Sequence, residues 1–191
     1  SGPDLFNQAT FAIGQYYSQG ILAPLDPAAA GYADQAAVYS AYESGDALLA
    51  GATFADTLYG LPTELSAYAC YTNDALWEAA GLDPATDFPT TWEDLKTVSE
   101  QLTVRDDAGA LTQRGFDFKW DASIFMLLIF NPMVQQLGGN MIDEVNYTAN
   151  INTPEVKQVL TYWIDWANTW GLGGAQYTSS RAAFLAGELA T

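Results

Sequence analysis

Short apolar runs bounded by glycine and proline alternate along this chain with longer segments of helical period, and that alternation confines it to an α/β architecture. The plainest helix covers residues 153–170, where Asn152 or Thr153 caps the start, Pro154 sits in the first turn and Gly171 ends it. Val156, Val159, Leu160, Trp163, Ile164, Ala167 and Trp170 fall on one face of it, so Trp163 and Trp170 read as core side chains rather than ligand platforms. Further helices are expected over residues 10–17, stopped by Gly20, and over 33–50, with a weak point at Ser44-Gly45. Asn73 caps "DALWEAA", which Gly81 closes, and Thr90 with Glu93 forms a capping box opening a helix over 91–102. A helix over 122–137 runs into Gly138-Gly139 with Pro132 expected to kink it, and a last one covers 180–187. Strands are expected at "GPDLF" (2–6), at 64–72 and at "GFDF" (115–118), with a turn or small hairpin in "GATFADTLYGLP" (51–62).

Charge removes several function classes. Six basic residues against 23 acidic ones give a net charge of −17, which cannot furnish the basic footprint that nucleic acid requires and disfavours an anionic lipid surface. The acids are scattered and aromatics are plentiful, as in a folded, well-solvated acidic protein. With no histidine, the commonest zinc ligand and the commonest general base are missing, so no familiar metal centre, no cofactor and no histidine-based triad is expected. Cys70 reads as a plain buried thiol in an apolar strand. The run "IFMLLIF" (124–130) is too short to cross a bilayer and reads as buried helix. The chain begins "SGPD" and stops at "RAAFLAGELAT" just past a helical pattern, which reads as a piece of something longer.

Seven segments, in order, resemble one family. "SGPDLF", "YYSQGILAPLD", "YGLPTELSAYACYTNDALWEAAGLD", "FPTTWEDL", "LGGNMID", "NTPEVKQVLTYWIDW" and "RAAFLAGELA" look like the successive motifs of the family 1 extracellular solute-binding proteins, the maltose-binding-protein-like receptors of ABC sugar importers. The resemblance implies the periplasmic-binding-protein-like two-lobe α/β fold of the class II type, incomplete in this chain, which would be an internal fragment lacking both ends. It places residues 1–62 in the amino-terminal lobe and 63–191 in the carboxy-terminal lobe, with a hinge crossing near 61–65. It also implies a non-enzymatic, monomeric receptor that captures a carbohydrate in the interlobe cleft and passes it to the permease subunits of an ABC importer. Such a receptor works outside the cytoplasmic membrane, in a periplasm or tethered by lipid.

Sugar recognition asks for an aromatic ring against the pyranose face and planar carboxylates or amides around the hydroxyl rim. Glu64, which alone would be an ordinary solvated glutamate, faces the cleft if the resemblance holds. Trp120 and Asp121 precede a helix on a loop where the family places ligand contacts, although Asp121 also suits a helix N-cap. Gln8, Thr10 and Phe11 follow the first strand. Gln8 stands where maltose-type receptors have a tryptophan and Phe11 where they have an aspartate, so maltose itself is not the expected ligand. Gln8 and Thr10 fit helix capping equally well. Tyr177, in a glycine-rich connection, lines the cleft or is a plain surface tyrosine. Two rivals remain open: the same fold binding a polyamine or another non-sugar solute, and a glycoside-acting enzyme using Glu64 and Asp121 as its carboxylate pair.

Overall fold

The computed structural model describes residues 3–143, 146 and 148–191. The chain divides into two compact units, one ending at Tyr68 and the other Ala69–Thr191.

The first unit opens on residues 3–9, which hold no strand. Leu5 is 91% exposed, so the buried strand expected at residues 2–6 is not formed over its described part, Pro3 to Phe6. A strand needs a partner edge, and none among the described residues pairs with this one. Helix α1 (Thr10–Ser18) follows, then α2 (Gln35–Ser40) and α3 (Gly45–Leu49). The weak point between the last two is a real break, with Ser44 in the left-handed region (φ 55°). At Gly45 a Cβ would lie 2.1 Å from the Tyr39 carbonyl oxygen, so only glycine allows α3 to start this close to α2. A 3-10 turn (Ala50–Ala52) leads into β1 (Thr53–Phe54) and β2 (Thr57–Leu58), the expected small antiparallel hairpin. Its two turn residues, Ala55 and Asp56, both have positive φ, which matches the primed turns that suit a twisted hairpin. Val38, Leu49 and Leu58 form the core, and Tyr17 stacks on Phe54 at 4.6 Å, fastening α1 to the hairpin.

Residues 59–73 carry no strand, which corrects the strand expected at 64–72; the chain over 61–65, where the hinge crossing is expected, is irregular. Leu65, Tyr68 and Tyr71 are exposed, and so is Cys70, read from sequence as buried. The segment is rich in apolar residues, but an extended apolar run is buried only where a sheet receives it.

The second unit contains α4 (Asp74–Ala79), α5 (Trp92–Leu102), the hairpin β3 (Val104–Arg105) and β4 (Leu111–Gln113), then α6 (Ser123–Gln136). The small hairpin β5 (Ile142–Asp143) and β6 (Thr148–Ala149), α7 (Pro154–Asn168) and α8 (Ser180–Ala186) complete it. The capping box of α5 is built one residue later than Thr90 and Glu93: the Thr91 hydroxyl accepts from the Asp94 amide at 3.1 Å and Asp94 accepts from the Thr91 amide. Hydrogen bonding from Thr91 first, then Thr90, holds the Asp94 carboxyl below the usual range. A carboxyl lowered by folding adds stability above its unfolded pKa and loses it as pH falls through the folded one. Thr91→Ala removes the N-cap hydroxyl and should cost about 1 kcal/mol; it should also flatten the acid limb of thermal melts recorded against pH.

The strand expected at "GFDF" is also absent. Instead Arg114 makes a parallel bridge with Leu189, and residues 115–119 run on irregularly. Phe118 is nonetheless buried with Met133, Val134, Val156, Val159, Trp163, Trp166 and Leu172 in the main core, stacking on Trp163 at 4.3 Å. The stripe on α7 is only partly covered: Leu160 and Ile164 are each 49% exposed. "IFMLLIF", expected to be buried, likewise leaves Ile124, Phe125, Leu127 and Leu128 exposed on α6. A second core cluster gathers Trp77, Leu102 and Ala190.

Candidate functional site

Two constellations of polar and aromatic groups stand out, one in each unit. In the first unit the Asn7 amide donates to the Thr63 hydroxyl at 3.0 Å, which brings the segment carrying Gln8, Thr10 and Phe11 beside Glu64. The Gln8 amide nitrogen donates to the Tyr16 hydroxyl at 3.2 Å, and its oxygen accepts from the Ala9 amide. Neither Gln8 nor Thr10 caps α1: the N-cap is Ala9, with no side-chain cap. Capping thus does not account for either polar side chain. Phe11 is 75% exposed and Glu64 is exposed, so an aromatic face, an amide and a carboxylate all stand open to solvent on this unit. Asn7 was not anticipated from sequence. An asparagine before a helix reads as local turn chemistry, and its long-range partner shows only in three dimensions.

The second constellation is buried at its base. Asp117 lies between Phe116 and Phe118 on the irregular segment and is 5% exposed. Its carboxylate accepts from the Arg114 guanidinium, from the Trp120 indole N–H at 2.6 Å and from the Gly174 amide at 3.2 Å. Burial pushes the Asp117 carboxyl up, against the pull of the Trp120 and Gly174 donors and of the Arg114 charge, and the net direction is upward. Arg114 is equally buried. Its second terminal nitrogen donates to the Thr178 carbonyl at 2.7 Å, and its guanidinium lies 5.4 Å from the centre of the Tyr177 ring. Gly173 passes so close that a Cβ there would meet the Asp117 carboxylate at 2.2 Å.

The expected site residues Trp120 and Tyr177 are therefore joined through one ion pair that sequence reading missed. The available signal was a lysine- and arginine-poor chain placing an arginine and an aspartate three apart within an aromatic run, "RGFDF". Trp120 packs edge-on to Trp163 at 5.2 Å and stands at the rim of an almost wholly apolar groove of about 420 Å³ between α6 and α7. Asp121 is not drawn into this cluster and does not cap α6, whose N-cap is Ala122. It pairs with Lys119 at 2.7 Å, and hydrogen bonding from Lys119 first holds its carboxyl below the usual range. Among the described residues no three His, Cys, Asp or Glu side chains gather closely enough to hold a metal ion.

Comparison with known proteins places the chain. It belongs to the bacterial extracellular solute-binding protein family, which it matches over residues 1–190. No curated protein matches its sequence. Among solved structures it is similar to an ABC transporter solute-binding protein of Thermotoga lettingae TMO bound with alpha-D-tagatose, at 20% identity and a TM-score of 0.69 over 93% of this chain and 44% of that one. An ABC substrate-binding protein of Listeria monocytogenes in complex with cycloalternan is similar at 19% identity and a TM-score of 0.67, over 94% of this chain and 44% of that one. CpMnBP1 with mannotriose bound is similar at 22% identity and a TM-score of 0.66, over 94% of this chain and 45% of that one. The chain thus carries part of the two-lobe periplasmic-binding-protein-like fold and spans less than half the length of these relatives.

Proposed function

We propose that this chain is the capturing part of an ABC importer's receptor, holding a sugar or oligosaccharide in an interlobe cleft outside the cytoplasmic membrane and presenting it to the permease. The observation that carries this reading is the family match over residues 1–190. The bound carbohydrates of the structural relatives, alpha-D-tagatose, cycloalternan and mannotriose, narrow it to sugars. The groups of the two constellations suit that chemistry. Phe11 and Trp120 offer rings to a pyranose face, and Glu64 and Gln8 offer planar acceptors and donors to adjacent hydroxyls. Ligand bridging two lobes would favour their closed arrangement, which the permease would recognise.

A glycosidase reading fits less well. It needs one carboxyl kept protonated near neutral pH as the acid, and Asp121 is held in the opposite direction by Lys119. Among the described residues no helix is long and apolar enough to cross a membrane.

The test is thermal unfolding of the protein with tagatose, mannobiose, mannotriose and cycloalternan, alongside spermidine and divalent cations. A ligand that binds only the folded form should add about 2.7 kcal/mol at a hundred times its dissociation constant. Glu64→Ala should abolish the shift while leaving the unliganded midpoint in place, because the side chain is exposed. A shift with spermidine or a cation and with none of the sugars would keep the fold and overturn the sugar reading.

A further inference from the structure

We propose that the buried Arg114–Asp117 pair is a positioning element for the ligand, clamping the Trp120 indole and the turn at Tyr177 into one fixed arrangement. This rests on the reading that Trp120 contacts the ligand. The argument starts from what each charge touches. Asp117 spends one carboxylate oxygen on the Trp120 indole N–H at 2.6 Å, and the other on Arg114 and the Gly174 amide. Arg114 carries the connection onward to the Thr178 carbonyl at 2.7 Å and lies against the Tyr177 ring. Two loops remote in sequence, 117–121 and 173–178, are thereby fastened to one pair of side chains that is almost entirely shielded from water.

Burying two charges is a costly way to stabilise a small unit, and an apolar pair of similar volume usually serves stability as well. What the ion pair supplies, and an apolar pair does not, is direction. The indole can rotate little while its N–H is held by a charged acceptor, and the Tyr177 turn is fixed by its neighbour's carbonyl and its own ring. An aromatic ring held at a fixed angle binds a sugar face with less ordering cost than a ring that must first be arrested. Asp117 and Arg114 need touch no ligand to act in this way. The absence of room for a Cβ at Gly173 adds a third restraint, since the 173–174 backbone lies directly on the carboxylate.

The test uses the whole protein labelled with 5-fluorotryptophan, with the Trp120 resonance assigned by Trp120→Phe and mannotriose as the probe ligand. In Asp117→Asn the Trp120 resonance should shift or broaden while that of Trp77, which makes no hydrogen bond to the Arg114 or Asp117 side chain, stays in place and reports an intact fold. Mannotriose affinity should fall tenfold or more. Should Asp117→Asn fail to fold, Arg114→Lys keeps a cation beside Asp117 but gives up the Thr178 bond. It should leave the Trp120 resonance sharp and still weaken mannotriose severalfold. An unchanged Trp120 resonance in Asp117→Asn, or a displaced one with unchanged affinity, overturns the positioning role. If the wild type binds no carbohydrate at all, the proposed function fails and takes the ligand role of the pair with it, while the fluorine comparison still decides whether the pair fixes Trp120.

Discussion

Truncating Trp77 to alanine should lower the stability of the second unit by about 3–5 kcal/mol, the usual range for removing a buried tryptophan. Trp77 is fully buried on the short helix α4, which has too few turns to persist by helix propensity alone. Its ring stacks on Phe88 at 6.2 Å, and its indole N–H reaches the Ala190 carbonyl at 3.2 Å and the Thr191 hydroxyl at 3.1 Å. The same Ala190 carbonyl accepts from the Asn73 amide, and the Ala190 amide donates to the Arg114 carbonyl. One side chain thus ties α4, the loop at Phe88 and the end of the chain into a single block. Urea unfolding followed by circular dichroism is the measurement. Trp77→Phe separates the contributions: it keeps the ring packing and forfeits the hydrogen bonds, which are worth about 1 kcal/mol each. The Ala190 carbonyl would retain Asn73 as a donor, so the phenylalanine variant should lose much less than the alanine one. A loss below about 1 kcal/mol in Trp77→Ala would mean that α4 is not packed as described.

The helices were legible in the sequence because the signals that make them are local. Thr153 and Pro154 before a striped run place the start of α7 without reference to anything distant, and Gly20, Gly81, Gly138 and Gly187 all take the positive φ that ends a helix. The Thr53–Leu58 hairpin was legible for the same reason. The expected strands failed together, at residues 3–6, 64–72 and 115–118, because a strand is a relation between two segments and its own pattern names no partner. "GFDF" shows the limit well. Its alternation correctly sets Phe116 and Phe118 against the core, yet the ladder it was expected to join is a lone bridge from Arg114 to the far end of the chain at Leu189.

The candidate site divides along the same line. Phe11, Gln8 and Glu64 could be named as candidates in advance because an exposed aromatic, amide or carboxylate on a loop can be picked out from its residue type and a family resemblance. Arg114 and Asp117 were not found, because a charge is read by default as solvated and only burial overturns that. The buried face of α7 was found only in part: Val156, Val159 and Trp163 are buried as expected, but so is Trp166, which lay outside the expected stripe. Periodicity shows which residues share a side, and it is silent on whether Leu160 and Ile164 meet a neighbour.

Replacing Arg114 by methionine should cost about 3–5 kcal/mol, because it strands a buried carboxylate without its counter-charge. Three consequences follow from the geometry. Asp117 keeps the Trp120 and Gly174 donors, so its charge is solvated in part rather than abandoned, which sets the loss within that range rather than above it. The Thr178 carbonyl loses its guanidinium partner and the Tyr177 ring loses its cation, so the turn at 177–178 should open before the rest of the unit. Asp117 itself, already displaced upward by burial, should move further up once the Arg114 charge is gone. A carboxyl whose folded pKa is raised gives stability that is present below its unfolded value and is lost as pH rises through the folded one, so the variant should recover part of its deficit in acid. Urea unfolding of wild type and Arg114→Met at neutral pH and at pH 4 reads this directly: the gap between them should narrow on acidification. The double variant Arg114→Met/Asp117→Leu removes both charges, and in an otherwise apolar site that would restore stability. Here it should restore only part, because the Trp120 indole, the Gly174 amide and the Thr178 carbonyl would each be left without a partner, at about 1–3 kcal/mol for every one that water cannot reach. Full recovery in the double variant would show that the pair organises nothing beyond itself.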